Sequence, residues 1–288
     1  MASLIDMRRR IRSVRNTQQI TKAMKMISAA RLRRAQDRVF NARPYAGVLR
    51  EVLESLAARI ESPAHPLLAR RPQERLLALV LSGDRGLCGA FNTNIVRASE
   101  RFLQQHREQQ VELVLIGRKA RDYYRRRRVT IRQEFVNVLT RLDFTHAQEI
   151  ASGVIAAYAE EKTDGVFLIY NEFKSVLSQR VVVEQLLPLR EFQPPPSRAA
   201  AFLKVDYIYE QPPQEIYAAL MPKYVESLIF RALLESAAAE HAARMTAMDS
   251  ATNNAGEMMD HLTLTMNRIR QAAITKEIIE VVSGAAAL

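Results

Sequence analysis

The stretch Ala255-Gly256-Glu257-Met258-Met259-Asp260-His261-Leu262-Thr263-Leu264-Thr265-Met266-Asn267-Arg268-Ile269-Arg270-Gln271-Ala272-Ala273 decides the fold. Ala255, Met259, Leu262, Met266, Ile269 and Ala273 recur at 4-3-4-3-4 spacing, a narrow apolar seam down one side of a helix. Ile274, Ile278, Val281 and Ala285 carry the 4-3-4 rhythm on, one residue out of phase, as a stutter does. From about Pro213 to Ser283 the one glycine is Gly256 and the one later proline is Pro222. At 1.5 Å per residue such a helix is roughly 100 Å long, too long for a globular core to cover. It needs a partner helix.

The other end of the chain supplies one. Residues 2–60 contain no glycine before Gly47 and no proline before Pro44. Leu4, Met7, Ile11 and Val14 are spaced 3-4-3, and Ile20, Met24 and Ile27 read as the same seam resumed after a phase slip. Pro44 is expected to kink or briefly break this helix, leaving a second helical stretch through Leu49, Val52, Leu53 and Leu56. The two terminal helices must run antiparallel if a compact domain between them returns the chain beside its start.

That domain is legible between about Glu74 and Glu210. Leu76 to Leu81, Val111 to Ile116 and Val166 to Tyr170 are short apolar runs of buried-strand type, and Val176 to Leu187 reads as an added strand at an edge. Asn92 to Gln105, Arg118 to Arg128 and Thr145 to Glu161 are helical stretches between them. Strands alternating with helices predict crossover units and a mostly parallel sheet. Pro194-Pro195-Pro196 marks a loop or exit linker. The predicted fold is α/β with long helices: an antiparallel coiled coil of residues 1–60 and 213–288, with a Rossmann-like α/β domain inserted at 74–210.

The chemistry-bearing patterns are few. Ser82-Gly83-Asp84-Arg85-Gly86-Leu87-Cys88-Gly89 follows the first strand, where a phosphate loop would sit, but it has neither the G-x-G-x-x-G spacing nor a GK[ST] ending. It reads as a tight strand-to-helix turn. The five histidines are scattered, and Cys88 is the single cysteine, so no metal set, internal disulfide or catalytic thiol is expected. No cofactor is expected either. No apolar run approaches the 18–20 residues that span a bilayer, and the first residues lack an apolar signal core, which predicts a soluble intracellular protein.

Charge is the strongest functional signal. Residues 1–60 hold fourteen Lys/Arg against four Asp/Glu, leaving nearly all of the chain's +11 at one end. Such a block seeks an acidic partner: nucleic acid, anionic lipid or an acidic protein surface. Aromatics do not interleave with Arg8, Arg9, Arg10, Arg12, Arg15, Lys22 and Lys25, which weighs against stacking on single strands. A nucleic-acid-binding scaffold with a basic helical arm stays open as the alternative. The final stretch, Val281-Val282-Ser283-Gly284-Ala285-Ala286-Ala287-Leu288, is small, apolar and uncharged, which suits a socket in a partner better than water.

Three segments carry a resemblance. Ile11-Arg12-Ser13-Val14-Arg15-Asn16-Thr17-Gln18-Gln19-Ile20-Thr21-Lys22-Ala23-Met24-Lys25-Met26 resembles the N-terminal signature of the F-type ATP synthase gamma subunits, Asp84 to Gly89 their middle motif, and Ile269 to Ile278 with Ser283-Gly284-Ala285 their C-terminal signature. The resemblance spans the chain in order. It implies a rotating central shaft without a catalytic site, one copy per complex, that couples a membrane c-ring to the catalytic beta subunits. Partners would be the alpha and beta subunits, the epsilon subunit and the c-ring, with no nucleic acid and contact with the membrane only through partners. By resemblance, Met24, Lys25, Arg85, Arg270, Gln271 and Thr275 would meet beta subunits. Arg43, Pro44, Tyr45 and Tyr207 would lie near the c-ring, and Val281, Val282, Ala285, Ala286 and Leu288 in an apolar sleeve. The paired-cysteine regulatory segment of chloroplast members is missing, so thiol switching is not expected. No transit peptide precedes the first signature, which favours a peripheral protein on the cytoplasmic face of a bacterial inner membrane.

Overall fold

The computed structural model describes residues 4–60, 65–176, 178–190, 192 and 210–286. Helix α1 spans Leu4–Ala57 and helix α5 Pro213–Ala286. Between them run β1 (Arg75–Leu81), α2 (Phe91–Gln105), β2 (Gln110–Ile116), α3 (Arg118–Tyr124), β3 (Thr130–Phe135), α4 (Phe144–Ala159), β4 (Gly165–Phe173) and β5 (Gln179–Leu187). The chain divides into two compact units, residues 1–29 with 244–288, and residues 30–243.

The larger unit holds a five-stranded sheet in the order β3-β2-β1-β4-β5. β1 pairs in parallel with β2 and β4, β2 in parallel with β3, and β5 closes one edge antiparallel to β4. Central β1 has both its apolar faces buried, which is why it reads as a continuous run rather than an alternation. Ile95, Ala98 and Phe102 of α2 and Ala120 and Tyr124 of α3 pack with Leu76, Ala78 and Val80 of β1. Within that core the Tyr124 hydroxyl meets Ser99 Oγ at 2.6 Å, and burial pushes the phenol up to about 12. Helix α4 opens on a capping box: the Asp143 carboxylate accepts from the Phe144 N–H at 2.7 Å, and His146 Nδ1 accepts from the Asp143 N–H at 3.3 Å.

Helix α5 is part of this unit's core. Residues 232–240 are buried without interruption, so the helix is enclosed on all sides there. Small residues make that possible: Ala232, Ala237, Ala238 and Ala239 let neighbouring backbones approach.

In the smaller unit α1 and α5 run antiparallel. Gln18 and Thr21 meet Thr252, while Lys25, further along α1, meets Asp249, further back on α5.

Three expectations change. Pro44 does not break α1, which is continuous through it. The proline leaves one carbonyl, that of Phe40, without its helical N–H, and both residues are exposed, so water can serve that oxygen. The seam of α1 does not slip: it continues from Met7, Ile11 and Val14 through Gln18, Thr21, Lys25 and Ser28, while Ile20 and Ile27 face solvent. Met24, also counted in the slipped seam, is half-buried. The third change is β3, which the sequence reading passed over. Thr130-Ile131-Arg132-Gln133-Glu134-Phe135 has two apolar residues in six, so its signal is too weak to mark a strand.

Candidate partner-contact surfaces

The loop after β1 is built to hold a shape. Ser82 Oγ donates to the Ile116 carbonyl at 3.2 Å and accepts from the Ala120 N–H at 2.9 Å, fixing the loop to the end of β2 and to α3. Asp84 is buried, and its Oδ1 accepts from the backbone N–H groups of Arg118 at 3.0 Å and Asn137 at 2.9 Å. Asn92 Oδ1 accepts from the Gly83 N–H at 2.9 Å, and its amide donates back to the Arg85 carbonyl at 3.2 Å. Gly117 makes this clasp possible: at φ +96° it passes so close to Ser82 that a Cβ would sit 2.0 Å from the Ser82 oxygen.

What the clasp presents is the tip. Arg85 is exposed, and Leu87 is 65% exposed in a left-handed conformation with φ 60°. A branched apolar residue held at positive φ and turned to water is costly twice over, in strain and in exposed apolar area. The sequence reading selected Arg85 and did not select Leu87. A Gly-Leu-Cys-Gly turn, with glycines on both sides of one large apolar residue, was the available signal.

The same end of the sheet leaves no room for a nucleotide beside this loop. In an open α/β sheet a nucleotide binds outside the carboxyl ends of the strands, where strand order reverses, here between β1 and β4. Helix α5 occupies that place. The Asn171 N–H of β4 donates to Ser236 Oγ at 3.3 Å, and the Glu240 carboxylate lies 3.0 Å from where a Cβ on Gly83 would be. A carboxylate beside the loop repels phosphate. Among the described residues no group of three or more His, Cys, Asp or Glu could hold a metal ion.

The c-ring-side candidates lie on α1 in the larger unit. Arg43, Pro44 and Tyr45 are all exposed, with the Arg43 guanidinium 5.2 Å from the Phe40 ring centre. Tyr45 also lines a half-open apolar hollow of about 350 Å³ with Ala42, Ala46, Phe144, Ser227, Phe230 and Arg231. Tyr207 lies outside the described residues.

In the smaller unit the candidates separate by what they touch. Met24 is half-buried beside the seam. Lys25 Nζ is 2.6 Å from Asp249 Oδ1, so its charge already has an intramolecular partner, though both groups are half-exposed and the pair is weak. Arg270, Gln271 and Thr275 are exposed. From Met259 to Ala273 the seam residues of α5 are half-buried, but beyond Ala273 the helix goes on with every described side chain exposed. Ile278, Val281 and Val282 are 57%, 72% and 62% exposed, and Ala285 is exposed too. Leu288 and the side chain of Ala286 lie outside the described residues. No helix among the described residues is long and apolar enough to cross a membrane.

Residues 3–288 match the family model described as ATP synthase. The ATP synthase gamma chain of Solibacter usitatus is 56% identical, over 100% of this chain and 99% of the relative. That of Pelotomaculum thermopropionicum is 50% identical over the whole of both. Among solved structures, a chain of the Tetrahymena thermophila mitochondrial ATP synthase central stalk and c-ring superposes with TM-score 0.60 at 30% identity, over 81% of this chain and 99% of that one. A chain of the Euglena gracilis mitochondrial ATP synthase superposes with TM-score 0.68 over 99% and 94%, at 20% identity, where the likeness concerns the fold alone. The nucleic-acid reading of the basic block finds no support among these relatives. Full-length identity of half or more, with an α/β sheet set between two long helices, means that the chain belongs to the ATP synthase gamma-chain family.

Proposed function

We propose that the chain is the central rotor shaft of a bacterial F-type ATP synthase and has no catalytic site of its own, ATP chemistry residing on the beta subunits. The observation that carries this is the free end of α5, a helix that continues past its partner's cover with Ile274, Ile278, Val281 and Val282 turned to water. Burying apolar surface is worth about 25 cal/mol per Å², so such an end is stable only against a partner. An apolar sleeve formed by alpha and beta subunits fits it, holding Val281, Val282, Ala285, Ala286 and Leu288.

The mechanism follows from asymmetry. Two different helices side by side show a different face at every angle, so three chemically identical beta subunits around them meet three different surfaces. A ligand or partner shifts a conformational equilibrium only by its differential interaction with the states, and the turning shaft supplies that difference. Met24, Lys25, Arg85, Arg270, Gln271 and Thr275 are the residues assigned to beta contacts. Arg43, Pro44, Tyr45 and Tyr207 are assigned to the c-ring side, which with the epsilon subunit meets the α/β domain, residues 74–210. Exposed ion pairs are worth up to about 1 kcal/mol each and are screened by salt, which suits contacts that must be made and released on every turn. The site of action is the cytoplasmic face of the inner membrane, reached through the c-ring.

The test is capture of the tagged chain with alpha and beta subunits, expected at one copy to three of each. Arg270→Ala with Gln271→Ala should then lower coupled ATP synthesis in membranes more than it lowers assembly. Recovery of the chain alone, or unchanged coupled synthesis in the double variant, would refute the assignment.

A further inference from the structure

The seam of the smaller unit changes character midway. Met7, Ile11 and Val14 on α1, and Met259, Leu262, Met266 and Ile269 on α5, are its apolar part. The next α1 positions in the same rhythm are Gln18, Thr21, Lys25 and Ser28, and Thr21 and Ser28 are buried. On α5 the matching stretch brings Asp249, Thr252 and Gly256, half-buried beside the buried Met248 and Ala255.

These residues fit one another in one alignment. Thr252 Oγ1 lies 2.8 Å from Thr21 Oγ1, 2.7 Å from the Met248 carbonyl, and Thr21 Oγ1 lies 3.0 Å from the Gln18 carbonyl. Whichever hydroxyl donates across the seam, the other donates to its own backbone carbonyl, so both hydrogens are used. Gln18 Nε2 donates to the Thr252 carbonyl at 3.4 Å, and a Cβ on Gly256 would come within 3.3 Å of that nitrogen, so the glycine leaves the amide its room. The Lys25–Asp249 pair sits one turn further on.

A heptad slip in one direction would set Thr252 level with Val14. In the other it would set Asp249 level with Leu32. Each sets a polar or charged group against an apolar one and breaks the cross-seam bonds of Gln18, Thr21 and Lys25. An apolar seam carries no such penalty, since one heptad looks much like the next.

We infer that Gln18, Thr21 and Thr252 are positioning residues that fix the longitudinal register of α1 against α5, trading seam stability for a single alignment. Buried polar residues in coiled-coil seams are best attested in this role. The inference about register stands on the contacts alone, and its consequence for coupling rests on the rotor reading.

Nitroxide labels at Ser13→Cys and His261→Cys, both exposed, report the register by pulsed electron-electron distance measurement on the full chain carrying Cys88→Ala. The parent and the conservative Thr21→Ser/Thr252→Ser variant should give one narrow distance. Gln18→Leu/Thr21→Val/Thr252→Val should keep its helix content, melt no lower than the parent, and add a second distance population from helices displaced by about 10 Å, one heptad at 1.5 Å per residue. Thr252→Val alone, the milder change, should broaden the distribution. A single unchanged distance in both valine variants overturns the inference. So does loss of helix content in both, which would make the polar residues a source of stability instead of alignment. In the assembled complex, slipped shafts should hydrolyse ATP with reduced proton pumping. Slipped register with intact coupling would count against the rotor reading and leave the register inference standing.

Discussion

Replacing Asp84 by alanine tests whether the tip after β1 is a rigid presentation device. The carboxylate is buried and accepts two backbone N–H groups through one oxygen, from Arg118 and Asn137, with the Thr140 hydroxyl at a long 3.4 Å from the other. Alanine leaves both N–H groups without their shared acceptor, although both donors belong to exposed residues that water can partly reach. Each such loss costs about 1–3 kcal/mol when fully buried, and with both donors on exposed residues the lower part of that range applies, so Asp84→Ala should destabilise the clasp by about 2–4 kcal/mol, with little from the Thr140 contact. Asp84→Asn keeps an oxygen in the same place but loses the charge, and charge-assisted bonds are roughly twice as strong as neutral ones, so a loss of about 1–2 kcal/mol is expected. Amide hydrogen exchange at Arg118 and Asn137 reads this locally. At tenfold per 1.4 kcal/mol, protection should fall roughly thirtyfold to several hundredfold in Asp84→Ala, and by about tenfold in Asp84→Asn. Equal protection in parent and alanine variant, or equal loss in both variants, would refute the view that this carboxylate holds the tip in place.

Gly117→Ala attacks the same clasp from the other side: with the backbone at φ +96° and the Ser82 oxygen in the way, a loss of at least about 3 kcal/mol in urea unfolding of the larger unit is expected. Deleting residues 274–288 removes side chains that the described residues leave uncovered, so the thermal midpoint of the isolated chain should move by no more than a few degrees while retention in the catalytic head falls. A collapsed α/β domain in that deletion would contradict the socket reading. Glu235 is buried, one carboxylate oxygen is without a partner among the described residues, and burial, opposed by Arg231 and Arg43 and aided by Glu172 and Glu184, raises its pKa above 4.5. A raised folded-state pKa gives stability that is present below the unfolded value and lost as pH rises through the folded one. Glu235→Gln should therefore melt higher than the parent at pH 8, with the gap closing as pH falls through the raised folded-state value toward the ordinary carboxylate range and the parent's carboxyl protonates. A constant gap over that fall in pH would show that the charge is not the cause.

The long helices and the strands β1, β2 and β4 were legible because their signals are local. A 4-3 seam, or a run of six apolar residues ending at a glycine, is written within a dozen positions. The edge strand β5 was legible for the same reason, with Val181-Val182-Val183 and Leu186-Leu187 inside it, whereas β3, at the opposite edge, offers only Ile131 and Phe135. Arg270 and Gln271 could be selected because they lie in a motif that carries the family resemblance, and the apolar end of α5 because a run of small uncharged residues is written in the sequence itself. Leu87 was missed because exposure and backbone handedness belong to the folded loop.

The seam of α1 shows the boundary most clearly. By itself the sequence determined that α1 carries a heptad rhythm starting at Leu4, and that α5 carries one through Ala273, continued out of phase to Ala285. Only the tertiary structure decided that the rhythm runs through Gln18, Thr21, Lys25 and Ser28 instead of shifting to Ile20 and Ile27. It likewise decided that Lys25 pairs with Asp249, and that α5 fills the crevice where a nucleotide would otherwise lie. Hydrophobicity ranks single residues, whereas burial belongs to pairs of surfaces. A threonine becomes a seam residue when a second threonine, more than two hundred positions away, meets its hydroxyl.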